Sequence, residues 1–414
     1  MLRKLELYSP IPPMKTGTAA YFSKLVDSLR EARVPAELVS VVIDSDQLDL
    51  SERTNYRGYE LVDYRIVPDL VDGETSRIYF VANNEYHSYV HKSLSRVGCH
   101  SGGRVISVVH DPSCSMILKS LCSNGVYGFS PDQFQGLLEV QYGNKARKLI
   151  DDSNAGFAPN VFDYVTHAQR NTIERSDEIW THSVFGALKL VLESHTAYDF
   201  LPTFRIGAHP VMQSTSPPGV VAAFERKGGT FRIGVFGWVS RAKRLVEVIR
   251  GVALALDRLP PDAPTLELLI VGKLPPAEEL DVIGECRKHD IERNAILIDY
   301  APDSMFAHLV GTCDLVFNLR YPSCGETSGT LAHANGYKVR SVVSAYQAFH
   351  EEVGALQIPI QARLEEFFVA GIVCDAIEKM SESPLGRNDA PLPIDAQVCP
   401  IDRLIMLELL GEFS

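Results

Sequence analysis

The chain has 414 residues, of which 45% are hydrophobic and 22% are charged. These values are ordinary for a globular protein, and the length predicts two or three domains that each bury a core. The formal net charge of -12 argues against a nucleic-acid partner, because an acidic chain repels phosphate backbones.

The cysteines and the N-terminal residues favour a cytoplasmic protein. Eight cysteines are scattered along the chain without a CxxC pair, so we expect reduced thiols and no structural metal site. The apolar stretch near the N-terminus ends at Pro10, which is too short for a signal peptide, and no run of about 18 apolar residues occurs. We therefore expect a cytoplasmic location with at most peripheral contact at the inner face of the membrane.

The first residues of the chain predict the beginning of a parallel sheet. Residues 5–8 form an apolar strand, residues 9–17 form a loop rich in proline and glycine, and residues 19–32 have the apolar spacing of a helix. A second strand is predicted at residues 36–43. This order of strand, helix and strand is typical of a parallel α/β sheet.

Three further apolar strands are predicted in the first half, at residues 77–81, 105–109 and 178–181. Polar residues follow each of them, among them His110 and His182. In open α/β sheets, ligands bind beyond the carboxyl ends of the strands. These strand ends are therefore candidates for a site.

A second alternation of strands and helices begins after a linker. Residues 214–229 contain paired prolines and paired glycines, which are typical of a linker. The pattern predicts an N-terminal domain over residues 1–213 and a C-terminal domain over residues 230–395. Residues 112–172 have no clear period, and we expect helices there together with a variable loop that shapes an acceptor site, without assigning bounds to them. The strands of the second domain are predicted at residues 231–236, 266–271, 295–298, 314–318 and 339–343, and a helix at residues 245–259.

A loop rich in glycine, serine and threonine opens onto a predicted helix at Thr330. It contains Gly325, Glu326, Thr327, Ser328 and Gly329. The free N–H groups and the dipole of a helix N-terminus favour an anion, and a pyrophosphate is the natural candidate. Glu326 would instead accept hydrogen bonds from sugar hydroxyls beside the phosphate. The alternative is a capped helix without a ligand.

A basic stretch follows the first strand of the second domain. Gly237, Arg241 and Lys243 lie between that strand and its helix. Cations are unfavourable at a helix N-terminus unless an anion binds there, so this placement favours a diphosphate. The alternative is a solvated basic helix start.

Two more groups of residues follow strands of the first domain. Gly17 and Thr18 lie in the first loop, where a glycine lets backbone approach a ligand closely, although most such loops merely turn the chain. His110 is placed to position a sugar hydroxyl or to stabilise developing charge, with a structural histidine as the alternative. The residues predicted to shape the acceptor wall are Asn84, Tyr86, His87 and Asp111.

Five stretches of the chain resemble bacterial GT-B glycosyltransferases of the retaining family 4. They read YSPIPPMKTGTAAY, VANNEYH, VVHDPS, FGWVSRAKR and PSCGETSG, and they occur in the family's order across both halves of the chain. The resemblance implies an α/β fold of two Rossmann-like domains that face each other across a cleft. It also implies a nucleotide-sugar donor, such as a GDP-sugar or UDP-sugar, in that cleft. The last segment, residues 396–414, is expected to cross back to the N-terminal domain as a helix.

The resemblance assigns roles to individual residues. His110 matches the family's active-site histidine beside the donor sugar, and Gly17 lies in the loop that approaches the donor. Lys243 matches the diphosphate-binding lysine by its spacing, and Arg241 lies in the same basic stretch. The GETSG loop matches the donor-contacting loop, so Glu326 is assigned to catalysis together with His110.

Two positions depart from the family pattern. Many relatives carry a second glutamate eight residues after the first, and here that position is Ala334. If the end of the helix is aligned on Gly336 instead, the pair of glutamates falls on Ser323 and Leu331. The second glutamate commonly holds the nucleotide ribose, so another residue has to recognise the ribose in this chain. Trp238 stands directly after Gly237, where relatives have an arginine, and Arg241 is the candidate replacement.

The function implied by the resemblance is transfer of a hexose from a nucleotide diphosphate to a hydroxyl of a glycan or glycolipid, with retention, in polysaccharide or lipopolysaccharide biosynthesis. We expect no metal requirement, because the DxD pattern at residues 44–46 lies after the second strand, away from these motifs. A non-catalytic sugar-nucleotide-binding subunit on the same fold is the alternative, and the missing glutamate supports it. A sugar-nucleotide epimerase or hydrolase would need a carboxylate base near the sugar, and no clear pair is evident.

Overall fold

The computed structural model describes residues 2–48, 50, 53–98, 102–157, 162–194, 201–210, 226–360, 364–382 and 399–412. The chain divides into two compact units. Unit 1 comprises Met1–Pro210, Ser323–Thr327 and Gln397–Ser414, and unit 2 comprises Val211–Pro322 and Ser328–Ala396. Most of the predicted linker at residues 214–229 lies outside the described residues, which resume at residue 226.

Unit 1 is built on an eight-stranded sheet, within the part of the chain that the structure describes. The strand order is β3-β4-β2-β1-β5-β6-β7-β8, and every pairing is parallel except the short β3–β4 hairpin. The strands are β1 Lys4–Tyr8, β2 Val39–Ile43, β3 Asn55–Tyr56, β4 Tyr59–Asp63, β5 Thr75–Val81, β6 Arg104–Val109, β7 Glu178–Thr181 and β8 Thr203–Ile206.

Helices cover both faces of this sheet, so its strands are buried on both sides. Ile78 and Phe80 of β5 face one core, and Tyr79 and Val81 face the other, as the alternation of side chains along a strand requires. Burial on both faces explains why the strands read as nearly continuous apolar runs. The helices are α1 Gly17–Glu31, α2 Ser88–Arg96, α3 Ser115–Asn124, α4 Pro131–Tyr142, α5 Ala146–Asn154, α6 Phe162–Val165, α7 Arg170–Arg175 and α8 Val184–Ser194.

The second strand is shorter than predicted, because its first residues form a 3₁₀ turn. The prediction placed a strand over residues 36–43, whereas Ala36–Leu38 are helical and β2 begins at Val39. Pro35 stands at the start of this turn with a φ of -58°. A proline fixes φ near this value and donates no N–H, which suits the start of a helical turn.

Unit 2 contains a six-stranded parallel sheet with the order β11-β10-β9-β12-β13-β14, among the residues described. The predicted second doubly wound sheet is confirmed, with helices that alternate with the strands. The strands are β9 Thr230–Phe236, β10 Thr265–Val271, β11 Ala295–Ile298, β12 Leu315–Asn318, β13 Arg340–Ser344 and β14 Leu356–Ile358. The helices are α9 Leu245–Leu256, α10 Pro276–Lys288, α11 Asp303–Gly311, α12 Gly329–Gly336 and α13 Glu365–Glu382.

The last helix of the chain, α14 Ile401–Leu410, belongs to unit 1. Its apolar side chains Ile401, Leu404, Ile405 and Leu409 are part of the same core as α1. The segment before it pairs with unit 1 through an isolated parallel bridge between Ala208 and Pro400. In the described part of the chain, no helix has both the length and the apolarity needed to cross a membrane.

A close helix crossing in unit 2 depends on a glycine. Gly251 of α9 lies against α13, and a Cβ atom at this position would overlap Cβ and Cγ1 of Val369 and approach the carbonyl oxygen of Glu366 to 2.9 Å. These atoms are backbone or are close to it, so a change of side-chain rotamer cannot relieve the overlap. The two helices can therefore approach this closely only because residue 251 lacks a side chain.

Gly251→Ala is expected to destabilise unit 2 by about 1–3 kcal/mol, because overpacking outweighs the better helix propensity of alanine. Gly371 of α13 is the matched control, since a Cβ there has no neighbour within 4 Å. Gly371→Ala is expected to stabilise unit 2 by about 0.5–1 kcal/mol. Denaturant unfolding of the two variants measures both changes, and equal effects of the two substitutions would contradict the close crossing.

Candidate functional site

The carboxyl ends of four neighbouring strands bring polar residues together in unit 1. Because β5, β6, β7 and β8 are adjacent in the sheet, the residues that follow them share one edge. Asn83 follows β5, His110 follows β6, His182 follows β7 and His209 follows β8. The segment 323–327, which contains Glu326, also belongs to this unit.

Three histidine rings surround one tyrosine at this edge. The ring of Tyr21 in α1 lies 4.7 Å from the ring of His110, 5.4 Å from that of His182 and 4.8 Å from that of His209, measured between centroids. The rings of His110 and His182 are 5.3 Å apart, as are those of His182 and His209. This cluster, called the histidine cluster below, therefore consists of rings in mutual contact.

Several polar atoms of the histidine cluster are buried without a hydrogen-bond partner in the described structure: the hydroxyl of Tyr21, Nε2 of His110 and Nε2 of His182. The Nδ1 atom of His182 lies 2.8 Å from the carbonyl oxygen of Gly207. Since a carbonyl only accepts, Nδ1 donates and Nε2 carries the lone pair. Unpaired buried polar atoms are uncommon in native proteins, and they mark this cluster as a place for a hydroxyl-bearing ligand or water.

His110 and His182 of this cluster are uncharged at neutral pH. Burial lowers the pKa of His110 well below its usual range, and the neighbouring histidines lower it further. Burial also lowers the pKa of His182 to about 4, against the opposing effect of its bond to Gly207. Neutral imidazoles exchange hydrogen bonds with sugar hydroxyls but do not attract anions.

Asp111 differs from His110 in that it holds a proton near neutral pH. Burial and then the charge of Glu326 raise the pKa of Asp111 to about 7, although the N–H of Asn83 donates to its Oδ2 at 2.7 Å and opposes the shift. A carboxyl group with a pKa near the working pH is suited to take up and release a proton. The predicted acceptor residue Asp111 thus has the properties of an acid–base group.

The loop that carries Glu326 is held in place by its own side chains. Ser323 Oγ donates to Glu326 Oε2 at 2.7 Å and accepts from the N–H of Gly325 at 2.9 Å. Gly325 has a φ of +87°, a conformation that favours glycine. A Cβ at this position would lie 3.0 Å from Phe185 and 3.1 Å from Pro112, so glycine also fits the space.

The same loop bonds to the residues that follow β5 and β6. The N–H of Ser113 donates to the carbonyl oxygen of Cys324 at 3.0 Å, and Asn83 Nδ2 lies 3.3 Å from Cys324 Sγ. Thr327 ends the loop and is half-buried. Glu326 is therefore close enough to Asp111 for its charge to raise the pKa of the Asp111 carboxyl group, and Asp111 directly follows His110 in the chain.

Two of the other residues predicted for the acceptor are engaged with each other. Asn84 Oδ1 accepts from the N–H of Tyr86 at 3.2 Å and lies 2.9 Å from Nδ1 of His87. His87 is fully buried, whereas Tyr86 is half-buried. Asn84 and His87 therefore fix the start of α2, and Tyr86 retains an accessible part of its side chain.

Gly17 and Thr18 form the beginning of α1. Gly17 is the first residue of the helix, it is exposed, and a Cβ at this position would meet no atom within 4 Å. The hydroxyl of Thr18 lies 3.0 Å from that of Thr16. The first turn of a helix leaves N–H groups without intrahelical acceptors, so this loop offers donors to a ligand.

In unit 2, Gly237 and Lys243 lie against each other. Gly237 has a φ of +89°, and a Cβ there would lie 2.6 Å from Lys243 Nζ and 3.8 Å from Thr330 Oγ1. The ammonium group of Lys243 donates to the carbonyl oxygen of Phe236, and the residue is only 6% exposed. The glycine therefore makes room for the lysine head group at the carboxyl end of β9.

The N-terminus of α12 lies beside the same strand end. Ser328 precedes the helix, Gly329 is its first residue and Thr330 its second. The hydroxyl of Ser328 donates to Asn318 Oδ1 at 3.2 Å instead of capping the helix. Asn318 is 2% exposed, and its Nδ2 atom has no hydrogen-bond partner among the described residues. An uncapped helix N-terminus, a lysine and an unpaired amide donor suit an anion.

Arg241 points to a different part of unit 2. Its side chain is 80% exposed, and its guanidinium group forms an ion pair with Asp281 at 3.2 Å. A cavity of about 210 Å³ lies beside it, lined also by Arg244, Glu247 and Glu278. The structure thus brings Lys243, Gly237 and Thr330 together, and it directs Arg241 towards α10.

Several residues of these sites were not predicted as ligands. Tyr21, His182 and His209 were missed, although the sequence shows His182 directly after a strand. Asn318 was recognised only as the polar end of its strand. A polar residue after each strand is the available signal, but only the sheet order shows which strand ends become neighbours.

The two units define an α/β protein made of two Rossmann-like domains, so the predicted fold class of the GT-B type is confirmed. No protein-family model matches the chain, and no curated protein matches it. HepE from Anabaena, solved in complex with UDP and glucose, is 13% identical with a TM-score of 0.59, over 99% of this chain and 100% of that chain.

Two more solved structures are similar over almost the whole length. Sucrose-phosphate synthase from Thermosynechococcus elongatus is 13% identical with a TM-score of 0.56, over 99% of each chain. The N-terminal domain of trehalose-6-phosphate phosphatase from Candida albicans is 12% identical with a TM-score of 0.61, over 99% of this chain and 97% of that chain. Identities this low show a common fold and nothing finer.

Proposed function

We propose that this protein is a cytoplasmic glycosyltransferase with at most peripheral contact with the membrane. It moves a hexose from a nucleotide-diphosphate donor to a hydroxyl of a glycan or glycolipid. The reaction proceeds with retention of the anomeric configuration and serves polysaccharide or lipopolysaccharide biosynthesis. GDP-sugars and UDP-sugars are the candidate donors.

The observation that carries this proposal is the anion site at the carboxyl edge of unit 2. Lys243 is buried there against Gly237, and the uncapped N-terminus of α12 and the unpaired Nδ2 of Asn318 add donors. Cleavage of a nucleotide sugar develops negative charge on the leaving diphosphate. Fixed donors at that position stabilise the transition state more than the ground state. The proposal therefore assigns this stabilisation to protein groups and requires no metal ion.

The groups of unit 1 supply the sugar side of the proposed reaction. His110 is uncharged, so it binds hydroxyls of the donor sugar without attracting the diphosphate. Glu326 accepts hydrogen bonds from the same sugar. Asp111, which holds a proton near neutral pH, is suited to relay the proton that the acceptor hydroxyl releases. Asn84, Tyr86, Gly17 and Thr18 remain proposed contacts of the ligands.

The similar structures support the donor class in this proposal. HepE from Anabaena was solved with UDP, with UDP and glucose, and with UDP-glucose. Sucrose-phosphate synthase bears the name of a sugar-transferring enzyme. These proteins share the fold, and the anion site described above gives this chain a place for the same class of donor.

Lys243→Ala and Lys243→Gln are expected to abolish the thermal stabilisation that UDP or GDP gives to the wild-type protein. Loss of one charge-assisted hydrogen bond to the diphosphate costs about 1.5–3 kcal/mol, which weakens binding roughly 10- to 100-fold. The shift in Tm on addition of nucleotide measures this effect, and it is independent of any change in the basal Tm.

Lys288→Ala is the matched control, because Lys288 is an exposed lysine of the same unit, paired only loosely with Glu285 at 3.7 Å. It is expected to keep the full nucleotide-dependent shift. Absence of any shift in the wild-type protein at millimolar nucleotide would overturn the donor assignment. Nucleotide binding without transfer or hydrolysis of any nucleotide sugar would favour the alternative, a non-catalytic sugar-nucleotide-binding subunit.

A further inference from the structure

Three side chains form a row along the carboxyl edge of unit 2. Phe236, Val271 and Ile298 are register partners on β9, β10 and β11. Trp238, Lys273 and Tyr300 each follow their register partner by two residues. The row therefore crosses three adjacent strand ends, which in a parallel sheet are spaced about 4.8 Å apart.

The backbone under this row is well fixed, because the sheet hydrogen bonds continue past the strand ends. The N–H of Gly237 donates to the carbonyl oxygen of Val271 at 2.8 Å, and that of Gly272 donates to Ile298 at 2.8 Å. The N–H of Val239 donates to the carbonyl oxygen of Lys273 at 3.0 Å. The backbone hydrogen bonds made by Gly237 and Val239, the residues before and after Trp238, therefore hold Trp238 beside Lys273.

The side chains of the row are open to solvent. Trp238 is 58% exposed and Tyr300 is 48% exposed. The ammonium group of Lys273 lies over the indole of Trp238, 5.3 Å from its centroid, which is a cation–π contact. Large aromatic side chains at a rigid strand edge with this exposure are typical of a ligand surface rather than of a folding core.

We propose that Trp238 and Lys273 bind the nucleobase of the donor, with Trp238 stacking on the base and Lys273 donating to a base carbonyl oxygen. This inference rests on the proposed function, because it extends the diphosphate site around Lys243. It also narrows the donor class. Uracil and guanine offer a carbonyl oxygen to the ammonium group, whereas adenine offers an amino donor at the corresponding position.

The position of the row favours the base over the sugar of the donor. Trp238 directly follows Gly237, whose backbone lies against Lys243 at the diphosphate site. On the other side of β9 lie β12 and α12, where Asn318 and the N-terminus of α12 supply further donors for the diphosphate. The row itself supplies aromatic rings and the N–H groups of the Lys273 ammonium. A nucleobase with a carbonyl group suits both, because its planar ring stacks on an aromatic side chain and its oxygen accepts from the ammonium.

The chain offers a direct test, because it contains only two tryptophans. Trp180 is fully buried in unit 1, and Trp238→Phe leaves it as the only tryptophan, so comparison of this variant with the wild type assigns a change in emission to Trp238. UDP is expected to quench the emission of the wild-type protein when it is excited at the red edge of the indole band, where uracil does not absorb. Inorganic pyrophosphate is expected to bind without quenching. In Trp238→Phe only Trp180 remains, and UDP is expected to bind with no change in emission.

Titration calorimetry then measures the affinities of the variants for UDP and for pyrophosphate, which separates the contribution of base stacking from that of the diphosphate site. Trp238→Ala is expected to bind UDP roughly 5- to 100-fold more weakly and pyrophosphate with unchanged affinity. Trp238→Phe keeps a stacking ring and is expected to lose less than Trp238→Ala. Lys273→Ala is expected to reduce the preference for UDP or GDP over ADP.

Each outcome bears on one of the two proposals. If Trp238→Ala binds UDP as the wild type does, while Lys243→Gln does not, the diphosphate site stands and the inference about Trp238 is overturned. If the wild-type protein prefers ADP, the role of Lys273 is overturned. If neither UDP, GDP nor pyrophosphate binds the wild-type protein, the proposed function fails at its donor site and the inference fails with it.

Discussion

Unit 1 is expected to lose stability steeply as the pH falls from about 6.5 towards 4, because four of its histidines are native only in the uncharged form. Burial lowers the pKa of His87 to about 3 and those of His91 and His182 to about 4, and it lowers the pKa of His110 well below its usual range. In the unfolded chain these rings bind protons below about pH 6.5. Unfolding therefore takes up protons.

The sign and the slope follow from this proton uptake. The stability contributed by the neutral histidines is complete above about pH 6.5. It falls by about 1.4 kcal/mol per pH unit for each histidine between about pH 6.5 and the folded-state pKa of that histidine. Asp111 acts in the opposite direction, because its pKa is raised to about 7. The native state binds one extra proton there between about pH 4 and 7, which offsets one histidine.

Denaturant unfolding at a series of pH values measures this slope. Trp238→Phe is the suitable background, because Trp180 then reports on unit 1 alone. His91→Gln removes a histidine whose Nε2 lies 3.1 Å from the carbonyl oxygen of Ala82, and it is expected to lower the proton uptake by about one. A stability that stays constant between about pH 6.5 and 5 would contradict the burial of these rings in their neutral form.

Glu408→Ala is expected to destabilise unit 1 by about 3 kcal/mol, because it removes the hydrogen bonds of a buried carboxylate, takes away one of the two carboxylates beside Arg104 and leaves a cavity. Glu408 of α14 is fully buried. Its carboxylate accepts from Ser76 Oγ at 2.6 Å and from Arg104 Nη1 at 2.7 Å. Arg104 also pairs with Glu178 at 2.6 Å. In the Glu408→Ala variant, Arg104 would therefore keep one of its two carboxylate partners.

Glu408→Gln keeps the shape of the side chain and is expected to cost less than the alanine variant. Glu412 is the control, because it is exposed just after the same helix. Glu412→Ala removes the same charge and is expected to change the free energy of unfolding by less than about 0.5 kcal/mol. Similar losses for Glu408→Ala and Glu412→Ala would show that the buried ion pair does not hold α14 in place.

The strands of unit 2 could be predicted closely from the sequence. The strands β9, β10 and β13 begin within one residue of the predicted positions, because runs of valine, isoleucine and leucine buried on both faces leave a continuous apolar signal. The short strand β14 of unit 2 was not predicted, and neither was the short strand β8 of unit 1. The four residues of β8 are exposed or half-buried, so this strand carries no such signal.

Helices were expected within residues 112–172, but their bounds could not be predicted, for another reason. Ser130 and Gln133 form a capping box around Pro131 at the start of α4, which is a local signal that apolar periodicity does not register. Gly125 ends α3 in the left-handed conformation. A search for start and stop residues would therefore have indicated the start of α4 and the end of α3.

The candidate sites could be predicted in part. Gly237 and Lys243 were chosen by spacing, and the structure places them in contact. The histidine cluster could not be predicted, because its members come from four distant segments that only the sheet order brings together. The proton on Asp111 depends on burial and on Glu326, which lies far away in the sequence. A short sequence motif reveals neither the sheet order that assembles the histidine cluster nor the burial and charge that act on Asp111.

The place of α14 has a consequence for the order in which this protein is made. Ribosomes release the chain from its N-terminus, yet the core of unit 1 receives Ile401, Leu404 and Leu409 only when the last helix has emerged. Until then the apolar face that α14 covers stays open, and Arg104 lacks Glu408. All described strands and helices of unit 2 are synthesised earlier. Residues 1–210 of unit 1 therefore precede unit 2 in synthesis, whereas the core of unit 1 is completed only after unit 2. A stop codon between α13 and α14 would leave the core of unit 1 open even though it lies far from the other residues of that unit in the sequence.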